Sequence, residues 1–223
     1  MLTPILLLFY FSNQLIMSRK KKTILIVFSI IFVIIGSGGG YLLFRVWPAT
    51  RSSDPPSMGF PIANTDVIHI MGSYGPKPWM DLHNGIDYGC NASVYIIAWC
   101  DMRVRGIKFW FNDGGGHWQT NVGLAYNWKY TFDCVFESWA LNETYGSLQL
   151  AEIYVEVGQK VSRGDVIGKL LYHGEGTHIH FGMKENGNDV CPYLFLSSSA
   201  KALFDTLWAQ YGDGGVACNT TSV

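Results

Sequence analysis

The chain has 223 residues and a mass of 25.0 kDa, enough for one or two domains. Apolar residues make up 48% and charged residues only 15%, which excludes a disordered or collagen-like chain. Net charge is −1 but uneven. Five of the 16 basic residues precede position 47, where no acidic residue lies, so the remainder sets 11 basic against 17 acidic residues, a net of −6. Such an acidic body lacks the electrostatic footprint of a nucleic-acid binder, and no nucleic-acid partner is expected.

Residues 1–22 read as a cytoplasmic N-terminus. Within it, residues 1–16 read as a mis-assigned extension, since Met17-Ser18-Arg19-Lys20 has the character of a natural start, with a second short hydrophobic segment as the alternative. Residues 23–46 read as a transmembrane signal-anchor. Its core, Ile24 to Phe44, is uncharged and long enough to cross a bilayer. Arg19 and Lys20 to Lys22 directly before it keep that end inside and send the rest across. The expected location is membrane-anchored with the domain on the extracytoplasmic side, or secreted if the segment is cleaved after Ser37-Gly38-Gly39-Gly40.

Residues 47–60, with Pro48, Pro55, Pro56 and Gly59, form a linker. From 61 to 196 short apolar runs rich in β-branched and aromatic residues alternate with Gly and Asn turns. Val94 to Trp99, Ile107 to Phe111 and Thr120 to Tyr126 are examples. The fold class this implies is mainly β: a compact antiparallel sheet or barrel-sandwich domain. Residues 197–223 supply a C-terminal helix and tail, with a serine cap before Ala200 to Ala209. Val155 to Gly168 reads as strand, turn, strand, turn, with Gly158 and Gly164 at the turns.

The five cysteines, Cys90, Cys100, Cys134, Cys191 and Cys218, all follow the anchor. That suits an oxidising compartment with up to two disulfides and one spare thiol. Spacing does not fix the pairing. Cys90 and Cys100 bracket an expected strand, and a structural bond there, or with Cys134, is expected. The absence of Cys-x-x-Cys disfavours a thiolate zinc site.

The chemistry concentrates in two histidine groups, Leu82-His83-Asn84-Gly85-Ile86-Asp87 and Thr177-His178-Ile179-His180-Phe181. In a strand, His178 and His180 share one face and Ile179 and Phe181 the other. A turn at Asn84-Gly85 lets His83 and Asp87 converge. Two imidazoles and a carboxylate, with one position left to water, form the ligand set of a catalytic zinc site. His69 reads as structural. Trp79, Trp110, Trp118 and Trp128 read as core or half-buried strand residues, with a substrate groove as the alternative.

Three ordered motifs then resemble the lysostaphin-type (LytM-type, beta-lytic) zinc metalloendopeptidases, whose fold is the duplicated hybrid motif. They are His83-Asn84-Gly85-Ile86-Asp87, Val155-x-Val-Gly-Gln-x-Val-x-x-Gly-x-x-Ile-Gly168, and Gly176-Thr177-His178-Ile179-His180-Phe181. Gly72-Ser73-Tyr74-Gly75 and Pro192-Tyr193-Leu194 resemble the family's opening and closing segments. The resemblance spans about residues 65–196. It implies one Zn²⁺ held by His83, Asp87 and His180, with His178 facing the reacting carbonyl. It also implies cleavage of cell-wall or other envelope peptides. One departure stands out. The family's second catalytic histidine falls in the strand before Val155, where this chain reads Cys134 to Asn142 without a histidine. His117 and His173 are the available substitutes. The missing histidine sets a second reading beside the first: a zinc-binding module that binds or activates another envelope enzyme.

Overall fold

The computed structural model describes residues 52–219. The expected anchor and the rest of 1–51 lie outside them. Among the described residues, no helix is long and apolar enough to cross a membrane. A short 3-10 turn at Thr65–Val67 leads into β1 (Ile68–Gly72), β2 (Gly75–Lys77), β3 (Met80–His83), β4 (Gly85–Cys90) and β5 (Val94–Ile97). Two long strands follow, β6 (Met102–Asn112) and β7 (His117–Ala125), then β8 (Tyr130–Ala140). Helix α1 (Glu143–Ala151) precedes β9 (Lys160–Val161), β10 (Val166–Leu170), β11 (His178–Glu185) and β12 (Asn188–Val190). A 3-10 turn at Pro192–Phe195 precedes helix α2 (Ser198–Tyr211).

The main sheet is antiparallel with strand order β1-β4-β11-β8-β7-β6-β9, and β12 pairs with the free end of β11. Two small ribbons, β5 with β10 and β2 with β3, complete the β structure. The domain is therefore mainly β, as its short aromatic runs imply, with a C-terminal helix where a serine cap is expected. Ser197 Oγ accepts from the Ala200 amide, satisfying one of the helix's open N–H groups.

One face of the sheet carries the core. Ile86, Tyr88, Phe136, Ile179 and Phe181 are fully buried there. Trp99 fills the centre, edge-on to Phe181 at 4.6 Å and to Phe132 at 5.2 Å. Helix α2 closes the layer through Ala200, Phe204 and Leu207. Burying each such large apolar side chain contributes about 1.5–3 kcal/mol, so this layer fixes the sheet register. Gly158 and Gly164 adopt φ of 90° and 94°, the left-handed turns that the Val155–Gly168 motif demands.

Two expectations need correction. Helix α1 was not expected, because its sequence reads only as an insertion after β8. Asn142 starts it by accepting from the Tyr145 amide, and Gly146 lets the helix lie against Trp118. The cysteine pairing also differs. Cys191 and Cys218 form the one disulfide, while Cys90, Cys100 and Cys134 are buried thiols. Cys90 and Cys134 sit on β4 and β8, packed within the apolar layer. Burial pushes the thiols of Cys90 and Cys100 up to about 12 and also raises that of Cys134, which makes all three poor nucleophiles.

The disulfide closes a loop across α2, with a sequence separation of 27, and ties the tail to the end of β12. Replacing both cysteines with serine is expected to lower unfolding free energy by about 2–4 kcal/mol in a denaturant titration. A thiol reagent should find no reactive cysteine in the folded protein and three after unfolding without reductant.

Candidate metal centre

The opposite face of the sheet bears the histidines. β11 lies between β4 and β8, with His180 opposite both Asp87 and Val135, and His178 opposite Gly89 and Glu137. Residues paired across an antiparallel ladder share a face. His178 and His180 therefore project together with Asp87, while Ile179 and Phe181 enter the core. The chain breaks at Asn84, between β3 and β4, and that break brings His83 onto the same spot.

One ligand atom from each of His83, Asp87 and His180 lies within 4.8 Å of the other two. His83 Nε2 is 3.1 Å from Asp87 Oδ2, and His180 Nδ1 is 2.9 Å from Asp87 Oδ1. The opposite nitrogen of each ring is occupied. His83 Nδ1 donates to the Ser73 carbonyl at 2.7 Å, and His180 Nε2 donates to Asn84 Oδ1 at 3.1 Å. The Asn84 amide is itself turned, with Nδ2 directed at Asp189 Oδ1 at 3.5 Å. Each outer acceptor takes one ring N–H, so His83 Nε2 and His180 Nδ1 are the nitrogens that face Asp87 and would lend their lone pairs to a metal on binding it. Gly85 permits this packing, since a Cβ there would stand 2.7 Å from the His180 ring. Two oriented nitrogens and a carboxylate fit Zn²⁺.

His178 stands beside the triad. Its Nδ1 donates to the Gly176 carbonyl at 2.7 Å, and its Nε2 lies 3.5 Å from Glu137 Oε2 and 3.9 Å from Asp87 Oδ1. Burial lowers its affinity for a proton. The Glu137 contact and both carboxylate charges outweigh that and raise its pKa to about 9. For Asp87, burial favours the neutral acid, but contacts from His180 and His83 hold it well below the ordinary carboxylate range. Glu137 follows the same pattern, with burial opposed by His117 and His178, and falls to about 2.

The structure separates the two substitute histidines. His117, on β7, donates to Glu137 Oε2 at 2.8 Å and lines the groove. His173 lies away from the groove against Tyr145 of α1, at a ring separation of 4.9 Å. His69 is exposed on β1. Of the four tryptophans considered, Trp79 lines the groove and is 76% exposed. Trp118 stacks on Phe109, Lys108 lies over Trp110, and Arg105 lies over Trp128. Sequence reasoning passed over Glu137, Gln119, Asn84 and Trp139, which also line the groove. Only strand register would have found Glu137, because it alone sets that residue opposite His178.

The groove, of about 1090 Å³, is lined among others by the apolar Ile70, Trp79, Met80 and Leu82 and by Gly114, Gly115 and Gly176. Also lining it, Asp213 Oδ2 accepts from the Ser73 amide at 3.0 Å, Ser73 Oγ at 2.7 Å and Lys77 Nζ at 2.6 Å. This clamp holds the segment whose carbonyl orients His83.

No protein-family model matches the chain, and no curated protein matches it. Similar solved structures include a zinc-containing peptidase from Vibrio cholerae, at 17% identity and a TM-score of 0.44, matched over 61% of this chain and 39% of that one. Helicobacter pylori Csd3 is 17% identical with a TM-score of 0.43, over 67% of this chain and 38% of that one. Lysostaphin is 20% identical with a TM-score of 0.38, over 77% and 62%. The chain thus spans less than two thirds of the length of each.

Two outcomes follow from this geometry. Asn84→Ala should weaken zinc binding about 10–100-fold in competition with a chromogenic chelator, with the fold intact by circular dichroism. Burial raises the Asp213 pKa, but Lys77 and Ser73 pull it from 3.8 down to about 2. A depressed carboxylate stabilises the fold above its unfolded pKa, and that contribution disappears as pH falls through the folded value. Between about pH 4 and 2 the parent should therefore lose more unfolding free energy than Asp213→Asn.

Proposed function

We propose that this protein is an exported, membrane-anchored zinc metalloendopeptidase of the lysostaphin type that hydrolyses peptide bonds of cell-envelope peptides. The convergence of His83 Nε2, Asp87 and His180 Nδ1, each ring fixed from behind, carries the reading. The motif resemblance supports it, and so does the groove. The groove is open and of about 1090 Å³, with room for a peptide segment.

His83, Asp87 and His180 would hold the ion. A zinc ion so bound supplies Lewis acidity and lowers the pKa of a bound water toward about 7. The chain's own groups do the rest. His178, whose Nδ1 is held by the Gly176 carbonyl, presents Nε2–H to the groove. That donor suits the carbonyl oxygen of a bound peptide as negative charge develops there. The exposed apolar Ile70, Trp79, Met80 and Leu82 in the groove would seat side chains flanking the scissile bond.

The test is release of new amino termini from purified cell-wall cross-link peptides, including Gly- and D-residue-containing ones. The zinc-loaded protein should release them, chelation should stop release, and His180→Ala should lose both zinc and activity. Hydrolysis indifferent to chelation, or zinc retained by His180→Ala, would contradict the assignment. Zinc retention without cleavage of any envelope peptide would make the groove a binding or activating module instead. His178→Ala should keep zinc and lower kcat by about 10²–10³-fold.

A further inference from the structure

We infer that Glu137, held by His117 and Gln119, occupies the place of the second histidine and takes the proton of the attacking water. This rests on the peptidase reading and assigns a residue to one of its steps.

Strand register supplies the first support. Glu137 lies on β8, in the stretch where the resemblance calls for a histidine, directly opposite His178 on β11. The second support is its fixation. Glu137 Oε2 accepts from His117 Nε2 at 2.8 Å and Gln119 Nε2 at 2.5 Å, while His178 Nε2 stands 3.5 Å away. Oε1 makes no hydrogen bond among the described residues, and Glu137 lines the groove. One oxygen is thus anchored and the other is available to a water.

The third support is what surrounds the pair. His117 is buried, its Nδ1 lies 3.0 Å from the Gly115 carbonyl oxygen, and the Trp139 ring stacks on it at 4.3 Å. Trp139 holds this position with φ of 59°, a left-handed backbone that a bulky residue rarely adopts. Beside this buried, oriented assembly, His173 has no place in the groove. It is His117 that belongs to the site, as the group that orients Glu137.

The step balances. A water adds its oxygen to the peptide carbonyl carbon as one of its protons passes to Glu137 Oε1. The C–N bond then breaks, its electron pair stays on nitrogen, and Glu137 returns the proton there. One water is consumed, one carboxylic acid and one amine are released, and Glu137 ends ionised as it began. His178, opposite Glu137 on the neighbouring strand, stays on the carbonyl-oxygen side of the site and hands over no proton in the step. One histidine outside the ligand set, His178, therefore suffices beside Glu137, because the carboxylate handles the proton.

The experiment compares the zinc-loaded parent with Glu137→Gln, Glu137→His and His117→Ala. It follows kcat and KM, zinc stoichiometry, thermal midpoint and ¹⁵N imidazole shifts. Glu137→Gln, nearly isosteric, should lower kcat about 10²–10⁴-fold with KM and zinc content unchanged. It should shift the His117 and His178 ring signals and leave those of His83 and His180 in place. Glu137→His should recover at least tenfold over Glu137→Gln, with a changed pH–rate profile that a merely structural residue would not produce. His117→Ala should lower kcat less than Glu137→Gln does. An active parent with Glu137→Gln within threefold of it would overturn the assignment and leave the peptidase reading standing. Loss of zinc in Glu137→Gln would also overturn it, making the residue a support of the metal ligands. A parent that binds zinc yet cleaves nothing would overturn both.

Discussion

Everything at the site depends on one register, that of β11 between β4 and β8. His180 faces Asp87 on one side, and His178 faces Glu137 on the other. A slip of one residue would turn Ile179 and Phe181 into the groove and drive both histidines into the apolar layer. The register is held from below. Phe181 packs against Trp99 and Phe132, and Ile179 is fully buried. The apolar effect thus specifies the metal centre indirectly, by making the alternative pairing too costly.

A second constraint concerns charge. Asp87 and Glu137 are ionised carboxylates on a largely buried face, where an unpaired charge would be expensive. Each is satisfied by imidazoles: Asp87 by His83 and His180, and Glu137 by His117 with Gln119. His178 stands between the two carboxylates. Behind them, neutral acceptors complete the network: the Ser73 carbonyl, the Asn84 amide and the Gly176 carbonyl. Each imidazole is thus oriented before any ligand arrives, which is the condition for a metal site with defined geometry.

Much of this was legible in the sequence because the signals are local. His178 and His180 alternate with two core residues. Asn84-Gly85 announces a break between His83 and Asp87, and Ser197 marks the start of the last helix. What escaped was non-local. Glu137 acquires meaning only from strands that pair far apart in sequence, and it looks like any polar strand residue until β11 lies beside it. Helix α1 hid behind a weakly patterned insertion that Asn142 caps. The cysteines misled for a related reason. Cys90 and Cys100 are near in sequence and point into the core, whereas Cys191 and Cys218 are brought together only by the path of α2. The Asp213 clamp on Ser73 likewise spans 140 positions and carries no sequence pattern.

The most direct measurement of the central claim is diffraction from the zinc-loaded protein at energies on either side of the zinc absorption edge. The expected result is a single anomalous peak about 2.0–2.2 Å from His83 Nε2, His180 Nδ1 and an Asp87 carboxylate oxygen. Ser73 and Asn84 should still hold the opposite ring nitrogens. A peak elsewhere, or zinc on His83 Nδ1 or His180 Nε2, would contradict the claim that this register and its outer acceptors build the metal centre.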